Sequence, residues 1–453
     1  MLRMRFSAAL IGTGLALFSL GEARAAGFGV ARFAGEHGHP TTDNATATYF
    51  NPAALTLSQG NHLFVDGNFA YRRLTYDRPP HPSDAPTPAD APDANTGQAV
   101  LSNFLVGPTL AASTRLNDFA FGLIACVPFG APVHFEQREE YADHPRLAGP
   151  VDGVQRWHSI DGVFVTGQLS AAAAYRLSKP RLSFGVSLSL MHSILRDVRA
   201  RADGTNDVEQ EGRSLIEASG SALAAGAGVV WEASPQALWL GASYQSRPNF
   251  AGGMKLEGSV DNLLGTHVRA DVDVTYDLPD SIRLGARWRP SPDTELRLFG
   301  DYTRWSAFER QCIVNAGRDC DIAKDGSQPA GGAVLQNIQR DWHDAVEVRA
   351  GFSYFASADL EFFSGLGASS SAVPDATFEA GLPDFPGASF ALGGRLRLSR
   401  AITVASSLTQ LVFVPRNVEG ELSDDELPTR QPDASGTYKQ SASVLNLNLD
   451  WRF

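Results

Sequence analysis

Arginine residues recur at even spacing in several extended-looking stretches of this sequence. The positions are Arg283, Arg287, Arg297 and Arg349. In a β-strand, residues two or four apart lie on the same face. A row of guanidinium groups in a low-dielectric interior can bind a carboxylate ligand. It can equally pair with acidic side chains such as Asp301 and Glu347, and for any single arginine we favour this second role.

Other reactive residue types form no catalytic or metal-binding signature. His158 and Ser159 are adjacent, but the chain has no GxSxG nucleophile motif, so we expect no enzymatic activity. His37 and His39 lie in a Gly-rich stretch, where paired histidines are usually solvated. We therefore predict neither a metal nor a cofactor.

Cys312 and Cys320 are close together in a polar stretch, while Cys126 lies alone in an apolar one. In an oxidising compartment the close pair can form a small loop disulfide. The pair lacks the further Cys or His of a zinc site. We interpret Cys126 as a small apolar residue, buried or facing lipid.

The N-terminus predicts export across the inner membrane. Arg3 and Arg5 precede an apolar stretch over 6–20, and Ala23-Arg24-Ala25 resembles a secretory cleavage site. Residues 1–25 are therefore expected to be removed. Beyond them no run of about 18 apolar residues is found, which excludes a helical membrane protein. The net charge of -12 argues against nucleic-acid binding.

Period-two alternation is the strongest structural signal in the chain. Near the C-terminus the apolar residues are Leu445, Leu447, Leu449, Trp451 and Phe453, and the polar ones are Asn446, Asn448, Asp450 and Arg452. The stretch from Leu63 to Arg72 alternates in the same way. A transmembrane β-barrel strand has one lipid-facing apolar face and one polar luminal face. The sequence therefore predicts an all-β protein, a transmembrane antiparallel barrel over residues 61–453.

The connections set the strand count. Six short turns are predicted near Asn117, Ser178, Ser234, Ser291, Ser357 and Ser399. Seven long loops are predicted over 77–100, 130–157, 200–213, 250–265, 307–341, 371–387 and 414–436. These thirteen connections alternate and join fourteen strands, with both ends in the periplasm. This count requires one long strand from His267 to Arg289, bent near Leu278-Pro279-Asp280; twelve or sixteen strands are the alternatives. The Pro-rich first loop is expected to be disordered or extended.

Residues 26–60 do not alternate and are rich in Gly, Ala and Thr, with aromatic residues such as Phe28, Phe33 and Phe50. A fourteen-stranded barrel has a lumen that its own side chains cannot fill. A small, apolar segment of this kind is suited to plugging the lumen. We therefore predict an N-terminal hatch over residues 26–60.

Several short motifs resemble the FadL-like family of long-chain fatty-acid transporters, in the family's order along the whole mature chain. They are Ala26-Gly27-Phe28, the run from Asp43 to Ala53, Val127-Pro128-Phe129-Gly130, Leu278-Pro279-Asp280-Ser281, Tyr302-Thr303-Arg304-Trp305-Ser306, Val373-Pro374-Asp375, Leu382-Pro383-Asp384, Gly436-Thr437-Tyr438 and the terminal Phe453. The resemblance implies a fourteen-stranded outer-membrane barrel with an N-terminal hatch. It also implies a hydrophobic ligand, either a long-chain fatty acid or, in some branches, an aromatic hydrocarbon.

The resemblance also implies roles for particular residues. Asn51, Pro52 and Ala53 belong to the hatch motif, in which the Asn-Pro step favours a turn. Candidate ligand-pocket residues are Phe28, Phe33, Phe50, Arg283, Arg287, Arg340 and Arg349. Arg340 lies where the family has a basic residue near its ligand. Pro128 and Gly130 mark a bend in the third strand, or simply its end; a bend would let the ligand leave sideways into the membrane.

Transport of a hydrophobic molecule, in the first place a long-chain fatty acid, by passive diffusion is thus the expected function; an aromatic-hydrocarbon channel, a general porin and a surface adhesin are the alternatives. The expected partners are the hydrophobic ligand, outer-membrane lipid and, during biogenesis, the barrel-assembly machinery that reads a terminal Phe453. A monomer is expected, because members of the family usually act alone.

Overall fold

The computed structural model describes residues 32–202, 205–250, 253–264, 266–322, 332–418 and 434–453. The predicted signal peptide, the first residues of the predicted hatch and Phe28 lie outside the described residues. Within them, short 3-10 helices cover Gly35–His37, Pro52–Leu57, Glu139–Tyr141, Pro150–Asp152, Val154–Trp157, Trp305–Ala307 and Asp375–Thr377, and one α-helical turn, α1, covers Ala47–Phe50. No helix among the described residues is long and apolar enough to span a membrane.

Strands dominate the rest of the described chain. Nine are continuous: β1 (Asn61–Arg78), β2 (Gly97–Leu116), β3 (Phe119–His134), β4 (Asp161–Leu177), β5 (Leu182–Arg201), β6 (Gly212–Ser234), β11 (Leu360–Ser369), β12 (Gly387–Arg397) and β14 (Gly436–Arg452). Five are in two parts: β7 (Leu238–Gln245, Met254–Leu264), β8 (Thr266–Tyr276, Ser281–Ser291), β9 (Thr294–Thr303, Arg310–Asn315), β10 (Val334–Gln339, Ala345–Phe355) and β13 (Ile402–Phe413, Arg416–Val418).

These strands form one closed antiparallel barrel. Each pairs with its neighbours in chain order, and β14 pairs with β1 from His62 opposite Arg452 to Asp77 opposite Thr437. Closure leaves no free sheet edge, as a backbone surrounded by lipid requires. The prediction of a fourteen-stranded barrel is confirmed, and the six short turns lie at the same end of the barrel, as predicted.

The alternation places apolar side chains outside and polar ones inside. On β1, Val65 and Tyr71 are exposed on the outer face, whereas Asp66, Asn68 and Arg72 are buried. The reason is that the outer face contacts lipid and the inner face surrounds a partly polar lumen. The predicted faces are therefore correct for the residues named between Leu63 and Arg72, whereas Leu74 and Tyr76, farther along β1, are apolar and buried inside.

Strands β7 to β10 are all interrupted at one level. The interruptions cover 246–253, 277–280, 304–309 and 340–344. The interruption of β8 lies at the bend predicted near Leu278-Pro279-Asp280. Above this level the four strands continue as a sheet that extends β6 outward, since β6 pairs with both parts of β7.

The long loops predicted over 250–265 and 307–341 are wrong in part, because they include strands of this upper sheet. Met254 and Leu256 face inward and are buried, while Lys255 and Glu257 are exposed outside. Polar outward residues are stable there because the segment rises beyond the lipid. A search for apolar outer faces therefore missed it. In the same sheet Cys312 forms a disulfide with Cys320.

The first outer loop, residues 79–96, is packed, and the prediction of a disordered or extended loop is wrong. Ala91 and Ala94 are fully buried. The buried Arg156, from the loop between β3 and β4, donates hydrogen bonds to the Ala94 carbonyl oxygen at 2.7 Å and to Asn95 Oδ1 at 2.9 Å. Arg156 also forms an ion pair at 3.0 Å with Glu211, which lies in the loop between β5 and β6. Three loops thus fold as one cap.

Candidate functional site

Residues 32–60 lie within the periplasmic half of the barrel, beside an open cavity of about 670 Å³ at its periplasmic end. The Asn51 side chain donates hydrogen bonds to the carbonyl oxygens of Pro40 (2.9 Å) and Val229 (3.0 Å), and accepts one from the Ala53 amide (3.1 Å). Glycines in the wall permit this contact. A Cβ atom at Gly228 would lie 2.0 Å from Asn51 Oδ1, and one at Gly185 would lie 2.3 Å from the Ala53 nitrogen. The Asn51-Pro52-Ala53 motif therefore rests directly on the backbone of β5 and β6.

Charged pairs fasten this N-terminal segment to the wall. Arg287 contacts Asp43 at 2.8 Å, and Arg32 contacts Glu347 at 2.7 Å. His37 contacts Glu361 at 3.0 Å, and Glu361 also pairs with Arg395 at 2.6 Å. All of these wall residues face the lumen. The periplasmic half of the lumen is therefore occupied by a polar, ion-paired interface.

Most of the arginines suggested as ligand contacts lie in this interface. Arg283 donates to the Tyr49 carbonyl oxygen at 3.2 Å and lies 3.5 Å from Asp301. Arg349 lies 3.5 Å from Glu347 and 3.8 Å from Asp301. The structure thus pairs these arginines with acidic residues and places them beside the N-terminal segment.

Phe33 and Phe50 also belong to the N-terminal segment. They form an apolar cluster with Tyr49, and the ring of Phe33 lies 4.9 Å from that of Tyr49 and 5.1 Å from that of Phe50. On the wall side this cluster contacts Ile124 and Cys126 of β3. The predicted pocket residues that the structure describes therefore lie in the N-terminal segment or in the wall beside it, except Arg340, which lies far above it.

The extracellular half of the lumen is apolar. Its centre is a group of rings and apolar side chains that we call the aromatic cluster: Phe129, Phe164, Tyr276, Leu278, Trp305, Phe308 and Trp342. The ring of Trp342 lies 5.0 Å from that of Trp305 and 4.9 Å from that of Phe308. Edge-to-face ring contacts of this kind hold large apolar surfaces in a defined geometry. The cluster offers a hydrophobic solute an environment from which water is excluded.

Most residues of the aromatic cluster lie in the strand interruptions. Leu278, Trp305, Phe308 and Trp342 lie in the gaps of β8, β9 and β10, where the chain leaves the sheet and turns its side chains inward. Two sequence motifs fix this geometry, because Arg304 Nε lies 2.6 Å from Asp280 Oδ1 and the Arg304 amide donates to the Asp280 carbonyl oxygen at 3.0 Å. The motifs around Pro279 and Trp305 therefore contact each other directly and form one local structure.

A small cavity of about 50 Å³ adjoins the aromatic cluster on its extracellular side. Its wall is partly apolar, with Phe164, Leu195 and Ile338, and partly charged, with Arg340 and Glu379. This mixed wall is chemically suited to the polar end of an amphipathic molecule whose apolar part lies toward the aromatic cluster.

Arg340 is the principal buried cation of this cavity. It lies beyond the lipid-facing part of β10, and burial together with nearby Arg199 lowers its pKa to about 9, so it remains cationic at neutral pH. Arg340 Nη1 lies 2.6 Å from Glu379 Oε1, and Nη2 donates to Gln311 Oε1 at 2.9 Å. Arg199 lies 3.4 Å from Asp197. These two cations of the cavity therefore each have an acidic partner.

The barrel wall is open between β2 and β3. Their ladder ends with Leu110 opposite Ala125, and the next pairing is a single bridge between Leu101 and Phe135. Between these points the backbone of each strand pairs only with its other neighbour, and the Asn103 side chain of β2 donates a hydrogen bond to the Pro132 carbonyl oxygen of β3 at 3.0 Å. The opening faces the lipid in the extracellular half of the barrel.

The opening arises from one additional residue in β3. Cys126 is opposite Gln168 and Phe129 is opposite Thr166, so two residues of β3, including Pro128, face one residue of β4. Gly130 follows with φ of 115°, and a Cβ atom there would lie 2.2 Å from the Phe164 carbonyl oxygen. Bulges of this kind bend a strand and end its pairing on one side. Pro128 and Gly130 therefore lie at the bend that forms the opening.

The opening adjoins both the aromatic cluster and the N-terminal segment. Phe129, beside it, lies 5.9 Å from the ring of Trp305. Cys126, at its lower end, packs against the cluster of Phe33 and Phe50. A continuous apolar surface thus connects the cavity, the aromatic cluster and the membrane.

The sequence matches, over residues 12–453, the family described as outer membrane protein transport protein (OMPP1/FadL/TodX). The chain belongs to this family. Membership places the protein in the outer membrane and makes it a transporter of hydrophobic molecules, which confirms the resemblance found in the sequence. No curated protein sequence matches the chain.

Solved structures with the same fold include a FadL homologue and two toluene transporters. A Pseudomonas aeruginosa FadL homologue has a TM-score of 0.73 at 14% identity, covering 96% of this chain and 100% of that chain. The Ralstonia pickettii toluene transporter TbuX has a TM-score of 0.62 at 14% identity, covering 95% and 99%. The P. putida toluene transporter TodX has a TM-score of 0.63 at 14% identity, also covering 95% and 99%. At these identities the likeness shows the fold.

Most residues of the aromatic cluster were not predicted from the sequence as site residues. Trp305 appeared only as part of a family motif, Phe308 was placed in the loop predicted over 307–341, and Trp342 was given no role. Their signal is the clustering of large aromatic residues beside Asp and Arg at the predicted ends of neighbouring strands. Among the described residues no group of three or more His, Cys, Asp and Glu side chains is arranged to hold a metal ion.

Proposed function

We propose that the protein takes up long-chain fatty acids across the outer membrane by passive diffusion. The ligand enters the cavity from outside and rests with its chain against the aromatic cluster and its carboxylate near Arg340. It then leaves sideways through the opening between β2 and β3. The observation that carries this proposal is the apolar surface that joins the cavity to the opening through Phe129 and Trp305.

The energetics favour such a route over a water-filled pore. Each methylene group transferred from an apolar site into water costs about 0.8 kcal/mol. A path that remains apolar from cavity to membrane avoids this cost. The N-terminal segment, which we propose to be a hatch over residues 26–60, blocks the aqueous path to the periplasm. Its contact with Cys126 at the foot of the opening suggests that hatch movement widens the exit.

A neutral aromatic hydrocarbon is the second candidate ligand. The observation that favours it is the pairing of Arg340 with Glu379 at 2.6 Å, which leaves the cavity without an unpaired cation at this position. An uncharged molecule would not disturb that pair. The two candidates share the same site and exit and differ in whether the ligand carries a charge.

Replacing Trp305 by Ala is expected to weaken ligand binding about tenfold, because a buried indole at the centre of the site is lost. The mature barrel, refolded in detergent, is titrated with oleate and with toluene by calorimetry. We expect saturable oleate binding with a Kd on the order of micromolar. Stronger binding of toluene would favour the hydrocarbon.

Trp451→Ala is the matched control, because this indole is 45% exposed on the outer face. It is expected to bind both ligands as the unmodified protein does. Equal losses in both variants would contradict a luminal site. Absence of binding to either ligand, together with large open-pore conductance, would indicate a porin.

A further inference from the structure

Two arginines hold the loop between β11 and β12, residues 370–386, over the cavity. At its base, Arg416 of β13 donates to the carbonyl oxygens of Val373 at 2.8 Å and Asp384 at 3.0 Å, and forms an ion pair with Asp375. At its tip, Arg340 holds Glu379 at 2.6 Å. The two contacts come from different parts of the wall, since Arg416 lies on β13 and Arg340 lies in the interruption of β10.

The tip of this loop closes the cavity. Phe378 and Ala380 are buried in the apolar lumen, and Gly381 and Leu382 line the cavity wall. Thr377 Oγ1 donates to the Arg340 carbonyl oxygen at 2.5 Å, so the tip contacts the same residue twice. Release of the tip from Arg340 would open the cavity toward the outside.

The contact between Glu379 and Arg340 leaves part of the guanidinium group unused. Arg340 and Glu379 are both almost fully buried, and the carboxylate receives a hydrogen bond from Nη1 alone among the three guanidinium nitrogens. Nη2 is bound to Gln311, and Nε has no hydrogen-bond partner among the described residues. A guanidinium group binds a carboxylate best through two parallel N–H groups. A carboxylate that enters the cavity can make such a two-point contact.

A buried guanidinium group cannot be left without a counter-charge, because an uncompensated buried charge is strongly destabilising. Glu379 therefore stabilises Arg340 while the cavity is empty. Only another anion can take its place. A neutral ligand has no group with which to displace it.

We propose that Glu379 is a resident carboxylate that the carboxylate of an incoming fatty acid replaces at Arg340, and that this exchange frees the tip of the 370–386 loop. The inference rests on the proposed function and deepens it. It makes Glu379 a specificity-determining residue, since the exchange lowers the apparent affinity for acids and leaves the affinity for neutral molecules unchanged. It also couples ligand charge to the position of the loop.

The test compares oleate with oleyl alcohol, which has the same chain and no charge. Calorimetric titrations are made on the full mature protein and on Glu379→Gln, whose amide keeps the shape of the side chain. We expect the substitution to raise the affinity for oleate about tenfold and to change that for oleyl alcohol less than about twofold. Glu257→Gln is the control, because this carboxylate is exposed on the outer face of the upper sheet, away from the loop and the cavity, and it should change neither affinity.

A second measurement follows the loop itself. Amide hydrogen exchange at residues 376–382 should rise when oleate binds to the unmodified protein and should not rise with oleyl alcohol. In Glu379→Gln it should be high before any ligand is added. Unheated gel mobility establishes that each variant is folded.

The outcomes separate the two proposals. Binding of both ligands with an unchanged oleate affinity in Glu379→Gln, or equal changes for both ligands, would overturn the exchange and leave the transport function standing. Failure of the unmodified protein to bind either ligand would overturn both. A tenfold gain restricted to oleate, with exchange in the loop that depends on the carboxylate, establishes the role of Glu379.

Discussion

Deletion of Pro128 is expected to close the opening between β2 and β3 and to reduce uptake about tenfold. Between Cys126 and Phe129, β3 has one residue more than β4, and the deletion removes it. The pairs above Phe129 keep their register with β4, so no side chain there changes face. β3 can then continue its ladder with β2 beyond Leu110. Uptake of labelled oleate into proteoliposomes measures the effect.

Pro128→Ala is the control that separates register from the chemistry of proline. It keeps the additional residue, so the bulge and the opening should persist and uptake should remain within about twofold of the unmodified protein. Calorimetric binding of oleate should be unchanged in both variants, because the cavity lies above the bend. Full uptake by a folded deletion variant would show that the ligand leaves by another route.

Substitution of Glu361 by Gln is expected to loosen the N-terminal segment and to open the aqueous path. Glu361 is buried, pairs with His37 at 3.0 Å and Arg395 at 2.6 Å, and lies 3.8 Å from Arg297. Removing one member of a buried charged group typically costs about 3–5 kcal/mol, because the remaining charges lose their partner. In planar bilayers we expect a clear rise in ion conductance and more frequent opening events.

Asp359→Asn is the matched control for this substitution. Asp359 lies two residues away and pairs with Arg397 at 3.5 Å, but both side chains are more than half exposed. Exposed pairs contribute about 0–1 kcal/mol, so conductance should not change. Equal conductance of both variants would mean that the charged interface does not hold the segment in place.

The barrel was predictable from sequence because its physics is periodic. Lipid outside and water or polar groups inside impose alternation on strands such as β1 and β14, and each short turn has its own residue signature. The same criterion failed at Met254–Leu264, where the strand rises above the lipid and its outer face carries Lys255 and Glu257. In this segment the apolar residues face inward and the polar residues face outward, the reverse of the pattern in the membrane.

The candidate site was harder than the barrel to predict from the sequence, because its contacts are not periodic. The luminal direction of Arg283 and Arg349 follows from alternation, but their partners come from neighbouring strands and from the N-terminal segment. Such pairings depend on register across the barrel, which one sequence does not contain. The aromatic cluster depends on interruptions in β8, β9 and β10, where Trp305 and Trp342 follow no repeat. Alternation therefore predicts the strands of the wall, whereas most of the aromatic cluster lies in segments that do not alternate.

Photoaffinity labelling tests the central claim most directly. Oleate with a diazirine near the middle of its chain is bound to the refolded protein, irradiated and located by mass spectrometry. We predict labels in the peptides that contain Phe129, Trp305 and Trp342, reduced by excess unlabelled oleate. Labels confined to outward-facing residues such as Phe104 or Leu447, without competition by oleate, would contradict a hydrophobic binding site within the barrel.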